Sequence, residues 1–167
     1  MNAFELQKQQ IVDTAQALVR KGYLMATGGN LSLRIPGQDA FAITPSNYDY
    51  MKMTADVVCV LDFSLAMIDG HLKPSVESAM HAAVYQARAD VNAIVHTHQV
   101  YTSALTLIKA PIPTLFDEQA RFLGRSVEII PYAPSGTGML AKTVAKHVKN
   151  HNNAFMMQNH GGLVFGH

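Results

Sequence analysis

The chain has no tryptophan and one cysteine, Cys59, among 167 residues. A single thiol cannot build a disulfide framework or a thiolate-rich metal site. Cys59 lies inside Val57-Val58-Cys59-Val60-Leu61, where its expected role is that of a small buried hydrophobe. Charge is also sparse. Asp, Glu, Lys and Arg make up 15% of the residues, the net charge is +1, and no basic block exceeds two residues. That pattern lacks the electrostatic footprint of a nucleic-acid binder. No stretch reaches the ~18 consecutive apolar residues of a membrane span, and the opening MNAFELQKQQ has no apolar signal-peptide core. A soluble cytoplasmic protein is expected, with neither a nucleic-acid nor a membrane partner.

What the chain does have is enough apolar side chain, 49% of residues, to build one stable core. A single domain over 1–167 follows from that length. Phe4, Leu6, Ile11, Val12, Ala15, Leu18 and Val19 recur at helical spacing over 4–21, and Gly22 supplies a stop. Strands are expected at 31–35 and 40–44 around the Pro36-Gly37 turn, and at 57–61 and 66–68 around a turn at 62–64. A helix over 75–88 opens on Pro74-Ser75 as its cap. Thereafter strands at 92–96, 127–131, 154–157 and 163–165 alternate with helices at 98–107 and 137–149. This order predicts an α/β domain of the α+β type, with a central mixed, mostly antiparallel sheet flanked by helices. The chain closes on the apolar run 161–167 with no helix after it, so a further C-terminal segment is expected.

Three imidazoles and one carboxylate carry the chemistry. His96 and His98 are two apart at the end of a strand, so both rings face one side if Thr97 points away. His160 stands in Asn159-His160-Gly161-Gly162, where the glycines permit close backbone approach. Glu77 opens a helix after Pro74-Ser75, where the plain alternative role is a carboxylate complementing the helix N-terminus. His81, one turn further along the same face, reads as a supporting residue rather than a ligand. Neutral imidazoles suit a zinc-like cation, and three of them leave a position open for water or substrate. Thr27-Gly28-Gly29-Asn30 and Thr44-Pro45-Ser46-Asn47 are turns whose backbone N–H groups can form anion nests, and Ser75 adds a donor at a helix start.

Taken in order, Gly29-Asn30-Leu31-Ser32, Ile43-Thr44-Pro45-Ser46, Pro74-Ser75-Val76-Glu77, His96-Thr97-His98 and Asn159-His160-Gly161 resemble the class II aldolase/adducin family. That family includes sugar-phosphate aldolases, epimerases, dehydratases and decarboxylases. The resemblance implies that His96, His98 and His160 ligate Zn²⁺ or another divalent cation. It implies that Glu77 sits at the metal when the site is empty and acts as acid/base when substrate is bound. It places Asn30, Ser46, Asn47, Ser75 and Val76 around the substrate phosphate, and it implies a homotetramer with sites between subunits.

Two positions depart from the family pattern. Asn47 stands where glycine is usual, and Val76 stands where a second serine is usual, so the phosphate cradle has lost a hydroxyl donor. Asp117, after Ile112-Pro113, falls near the position of a catalytic tyrosine and is a second acid/base candidate. The expected activity is that of a metal-dependent lyase. It would break a C–C bond in a small hydroxy-carbonyl compound, such as a sugar or sugar phosphate, through a metal-stabilised enediolate. Epimerase, dehydratase or decarboxylase chemistry on the same site is the alternative. A non-catalytic adducin-like scaffold is a third reading, but a scaffold has no need of Glu77 and all three histidines.

Overall fold

The computed structural model describes residues 4–150 and 152–167. Helix α1, Glu5–Arg20, ends where Gly22 takes a left-handed conformation (φ 76°), a common way for a helix to stop. Strands β1 (Asn30–Arg34), β2 (Ala40–Ile43), β3 (Cys59–Asp62) and β4 (Met67–Asp69) follow as an antiparallel meander. Helix α2 (Ser78–Ala87) leads to β5 (Ala93–Thr97), α3 (Val100–Leu107), β6 (Ile112–Pro113), α4 (Asp117–Leu123) and β7 (Ser126–Ile130). Helix α5 (Gly138–His147) and strands β8 (Ala154–Met157) and β9 (Gly161–Gly166) complete the described elements.

All nine strands form one sheet in the order β4-β3-β2-β1-β5-β9-β8-β7-β6. Among the described residues, only β7 and β8 pair in parallel. The expected mixed, mostly antiparallel sheet with flanking helices is what is observed. Strand periodicity divides the core into two. Phe41, Ile43, Cys59, Leu61, Ile94, Phe155 and Leu163 face α2 and α5, while Ala40, Ala42, Val58, Val60 and Leu31 face α1. Successive residues point to opposite faces of a strand, so one alternating run serves both layers. Cys59 is fully buried, as expected.

Several expected boundaries need correction. The helix expected from Ser75 starts at Ser78, with Glu77 as its N-cap residue. Ser75 instead heads a turn of its own, in which its Oγ accepts from the Glu77 N–H at 3.2 Å. The strand expected over 57–61 begins at Cys59, because Ala55–Val57 forms a single 3₁₀ turn. Helix α3 starts at Val100, so His98 lies between strand and helix. The last strand runs the six residues Gly161–Gly166. Strand β6 and helix α4 lie between the expected helix over 98–107 and the expected strand over 127–131, where the sequence pattern assigns no element.

Among the described residues, no helix is long and apolar enough to cross a membrane.

Candidate metal and substrate site

The sheet's central strands bring the site together. Asn30 pairs directly with His96 across β1 and β5, and Thr97 pairs with Gly162 across β5 and β9. The β8–β9 turn therefore delivers His160 to the end of β5. Gly161 permits this approach, since a Cβ there would collide with the Thr97 carbonyl oxygen. Gly29, at φ 83°, does the same from the other side, where a Cβ would lie 2.5 Å from the His96 carbonyl oxygen. The Tyr50 hydroxyl donates to the Gly29 carbonyl at 2.6 Å and pins this loop.

Glu77, His96, His98 and His160 converge, each offering one ligand atom, with these atoms all within 4.8 Å of one another. His98 Nε2 lies 3.1 Å from His96 Nε2. Glu77 Oε2 is 3.3 Å from His96 Nε2, and Oε1 is 3.2 Å from His160 Nε2. The other nitrogen of His96, Nδ1, lies 2.9 Å from the Gly162 carbonyl oxygen. A carbonyl can only accept, so Nδ1 carries the hydrogen and Nε2 presents its lone pair to the cluster. Burial pushes the His96 pKa down to about 4 and also lowers that of His98, so both rings are neutral and able to ligate at pH 7. Burial works to raise the Glu77 pKa, but hydrogen bonds from His160 and Asn30 and the electrostatic influence of the neighbouring imidazoles outweigh it, and the carboxyl is held well below its ordinary value. Three imidazoles and one ionised carboxylate, with Glu77 and His96 buried and His98 open to solvent, are a donor set that fits a divalent cation of the zinc type.

Beside the cluster is a cavity of about 110 Å³ lined by Asn30, Ser46, Asn47, Ser75, Val76 and Glu77, with Thr27, Gly28, His98 and Ser135. All five expected substrate-contact residues border it. Two loops build its wall. The Ser46 N–H donates to the Lys73 carbonyl at 2.8 Å and the Ser75 N–H to the Thr44 carbonyl at 3.1 Å, which clips the Thr44–Asn47 loop to the start of α2. Asn47 holds a left-handed backbone conformation (φ 54°) and accepts from Thr27 Oγ1 at 3.0 Å. Glycine adopts that conformation freely and asparagine tolerates it, which fits asparagine standing at a position where the family resemblance expects glycine.

Ser135 joins the site although no sequence pattern singles it out. Its hydroxyl donates to Glu77 Oε1 at 2.9 Å from the loop before α5. The only signal available was the small-residue run Ser135-Gly136-Thr137-Gly138, similar in kind to the other two nests. Asp117 lies elsewhere. It is exposed in the first turn of α4, beside β7, and belongs to neither the cluster nor the cavity lining of its own chain.

The family profile described as the Class II Aldolase and Adducin N-terminal domain matches residues 9–167. The chain belongs to the class II aldolase and adducin family. It is 38% identical to an L-fuculose phosphate aldolase of Escherichia coli over 153 residues, which cover 92% of this chain and 69% of that protein. It is 31% identical to a 5-deoxy-D-ribulose 1-phosphate aldolase of Bacillus thuringiensis, covering 96% of this chain and 74% of the relative. The solved structure of an L-fuculose 1-phosphate aldolase superposes with a TM-score of 0.89 at 32% identity, over 96% of this chain and 74% of that one.

Proposed function

We propose that this family member is an aldolase that cleaves a small phosphorylated ketose between the carbons α and β to its carbonyl, using a divalent cation, with zinc as the native ion. The observation that carries this reading is the convergence of His96, His98, His160 and Glu77 within 4.8 Å beside a cavity lined by hydroxyl and amide side chains. The names of the relatives, a fuculose phosphate and a deoxyribulose phosphate aldolase, support the substrate class. Among the described residues no lysine lines the cavity, so none of them offers an amine for imine chemistry there.

His96, His98 and His160 would hold the cation, which when bound polarises the substrate's carbonyl as a Lewis acid. Asn30, Ser46, Asn47 and Ser75 orient the substrate through neutral donors at its anionic end. Glu77 moves the proton. Displaced from the cation by substrate and protonated from water, Glu77 gives that proton to the carbon beside the carbonyl, which keeps the electron pair as the C–C bond breaks, and is left as the carboxylate. Asp117, exposed on its own chain, is assigned to the site of a neighbouring copy in a homotetramer, where it would handle the departing aldehyde's hydroxyl proton.

The cradle is weaker than the family pattern because Val76 brings no hydroxyl. Calorimetric titration with a ketose phosphate tests the reading. Val76→Ser combined with Asn47→Gly is expected to tighten binding roughly tenfold, since one hydrogen bond to a charged group is worth roughly 1.5–3 kcal/mol. Cleavage of a ketose 1-phosphate panel, with products identified, supports the aldolase assignment. Inverted, dehydrated or decarboxylated products instead would move the chemistry to the family's other reactions.

A further inference from the structure

One face of α2 and one face of β1 are joined by an unbroken line of side-chain hydrogen bonds. On the helix the participants are Glu77, His81 and Tyr85, spaced at i, i+4 and i+8. On the strand they are Asn30 and Ser32, spaced at j and j+2. Helical and strand periods both put these residues in line on facing surfaces. Asn30 Nδ2 donates to Glu77 Oε2 at 2.8 Å, and Asn30 Oδ1 lies 2.5 Å from His81 Nε2. His81 Nδ1 lies 2.6 Å from Ser32 Oγ, which lies 2.7 Å from the Tyr85 hydroxyl. Every member is buried, with His81 fully so.

One group sets the direction of all these bonds. An ionised carboxylate only accepts, so the amide nitrogen of Asn30 must face Glu77 and its oxygen must face His81. That oxygen requires a donor, so His81 carries its hydrogen on Nε2. Burial keeps the ring neutral, with its pKa pushed down to about 3, so Nδ1 is an acceptor and takes the Ser32 hydroxyl hydrogen. Ser32 in turn accepts from the Tyr85 O–H. Reversing the amide would set Oδ1 against the Glu77 carboxylate and, with His81 protonated at Nε2, two N–H groups against each other.

We propose that His81, seated against Ser32 and Tyr85 and donating from Nε2 to Asn30 Oδ1, is a positioning residue that fixes the Asn30 amide with its NH₂ group toward Glu77 and the substrate cavity. His81 touches neither substrate nor cation in this assignment and acts only through Asn30. One amide N–H aims the Glu77 carboxylate, and the second serves the bound substrate. The catalytic consequence rests on the aldolase reading above, whereas the amide and ring assignments do not.

Two measurements test it. The first is NMR of the protein ¹⁵N-labelled at histidine, metal-free and zinc-loaded. The ring nitrogens of His81 should report a neutral ring protonated at Nε2 in both states. A ring protonated at Nδ1 would overturn the proposal whatever the activity. The second is a cycle of His81→Leu and Asn30→Ala, read as kcat and KM for a ketose 1-phosphate, with melting temperature and bound zinc recorded alongside. His81→Leu should lower kcat roughly 10–100-fold while zinc content stays at the wild-type level. The double variant should lose no more than Asn30→Ala alone. Additive losses, or wild-type kcat in a folded His81→Leu protein, would overturn it. If His81→Leu does not fold, His81→Gln decides. Its side-chain amide can still donate to Asn30 Oδ1, so most of kcat should be retained, and a loss as large as that of Asn30→Ala would count against the proposal. Failure of the wild type to cleave any ketose phosphate would count against the aldolase reading, with the NMR result still deciding the His81 assignment.

Discussion

Glu77 has both carboxylate oxygens in use, Oε2 with Asn30 and Oε1 with Ser135 and His160. Its backbone caps α2 while its side chain makes no capping bond, so the acid is turned away from its own helix and into the cluster. A carboxylate placed only to complement a helix N-terminus would face that helix's N–H groups. Glu77→Gln keeps the shape and removes the proton shuttle. The expected result is a folded protein that still binds metal but has turnover lower by ~10²–10⁴-fold. Wild-type turnover on any accepted substrate would reduce Glu77 to a structural carboxylate. The donor residues were legible in the sequence because histidine and glutamate are chemically distinctive and their flanking turns set their spacing. Ser135 was not, because nothing local ties an exposed loop serine to a carboxylate far away in the chain.

At the scale of elements, α2 matters most, since its start carries the acid and its first turns carry the support behind Asn30. Its other end is held from the strands. Arg34 of β1 donates from Nε to the Val91 carbonyl at 2.9 Å, and from its guanidinium to the Tyr85 and Arg88 carbonyls at 2.9 and 3.0 Å. These carbonyls have no partner within the helix, so one side chain both closes α2 and ties it to β1. Arg34→Met should cost about 2 kcal/mol, or roughly 4–8 °C in Tm for a chain of this size. Thermal denaturation followed by circular dichroism measures it, and an unchanged Tm would show that water replaces the guanidinium without loss. Element boundaries were legible where burial imposes a period, as in α1 and β8. Helix α4 buries no residue and β6 is two residues long, so neither leaves a pattern to read. The start of α2 was misplaced because Ser75 makes a cap-like bond within its own turn, one turn ahead of the helix.

For the whole molecule, nine strands in one sheet place the first and last thirds of the chain on either side of β5, which is how Asn30 and His160 come to share a site. The sheet's mixed character could be read from element order. Its strand order could not, because pairing between distant strands depends on which faces are buried together. Burying two neutral histidines also has a cost that depends on pH. His81 and His96 are pushed down to about 3 and about 4 by burial, whereas an unfolded histidine titrates near ~6.5. Below that pH the unfolded chain binds more protons than the folded one. Stability of the metal-free protein should therefore fall as pH drops from about 6.5 toward 4, by up to ~1.4 kcal/mol per pH unit for each histidine. Urea denaturation midpoints at pH 7 and pH 5 test this, and a midpoint that holds or rises at pH 5 would contradict it. The central claim, a cation held by His96, His98 and His160, is tested most directly by elemental analysis of the purified protein and of its His96→Ala/His98→Ala variant. The account predicts about one divalent ion per chain in the wild type, most of it zinc, and close to none in a folded double variant. An undiminished metal content in that variant, or a metal-free wild type that cleaves ketose phosphates at full rate in the presence of chelator, would contradict it.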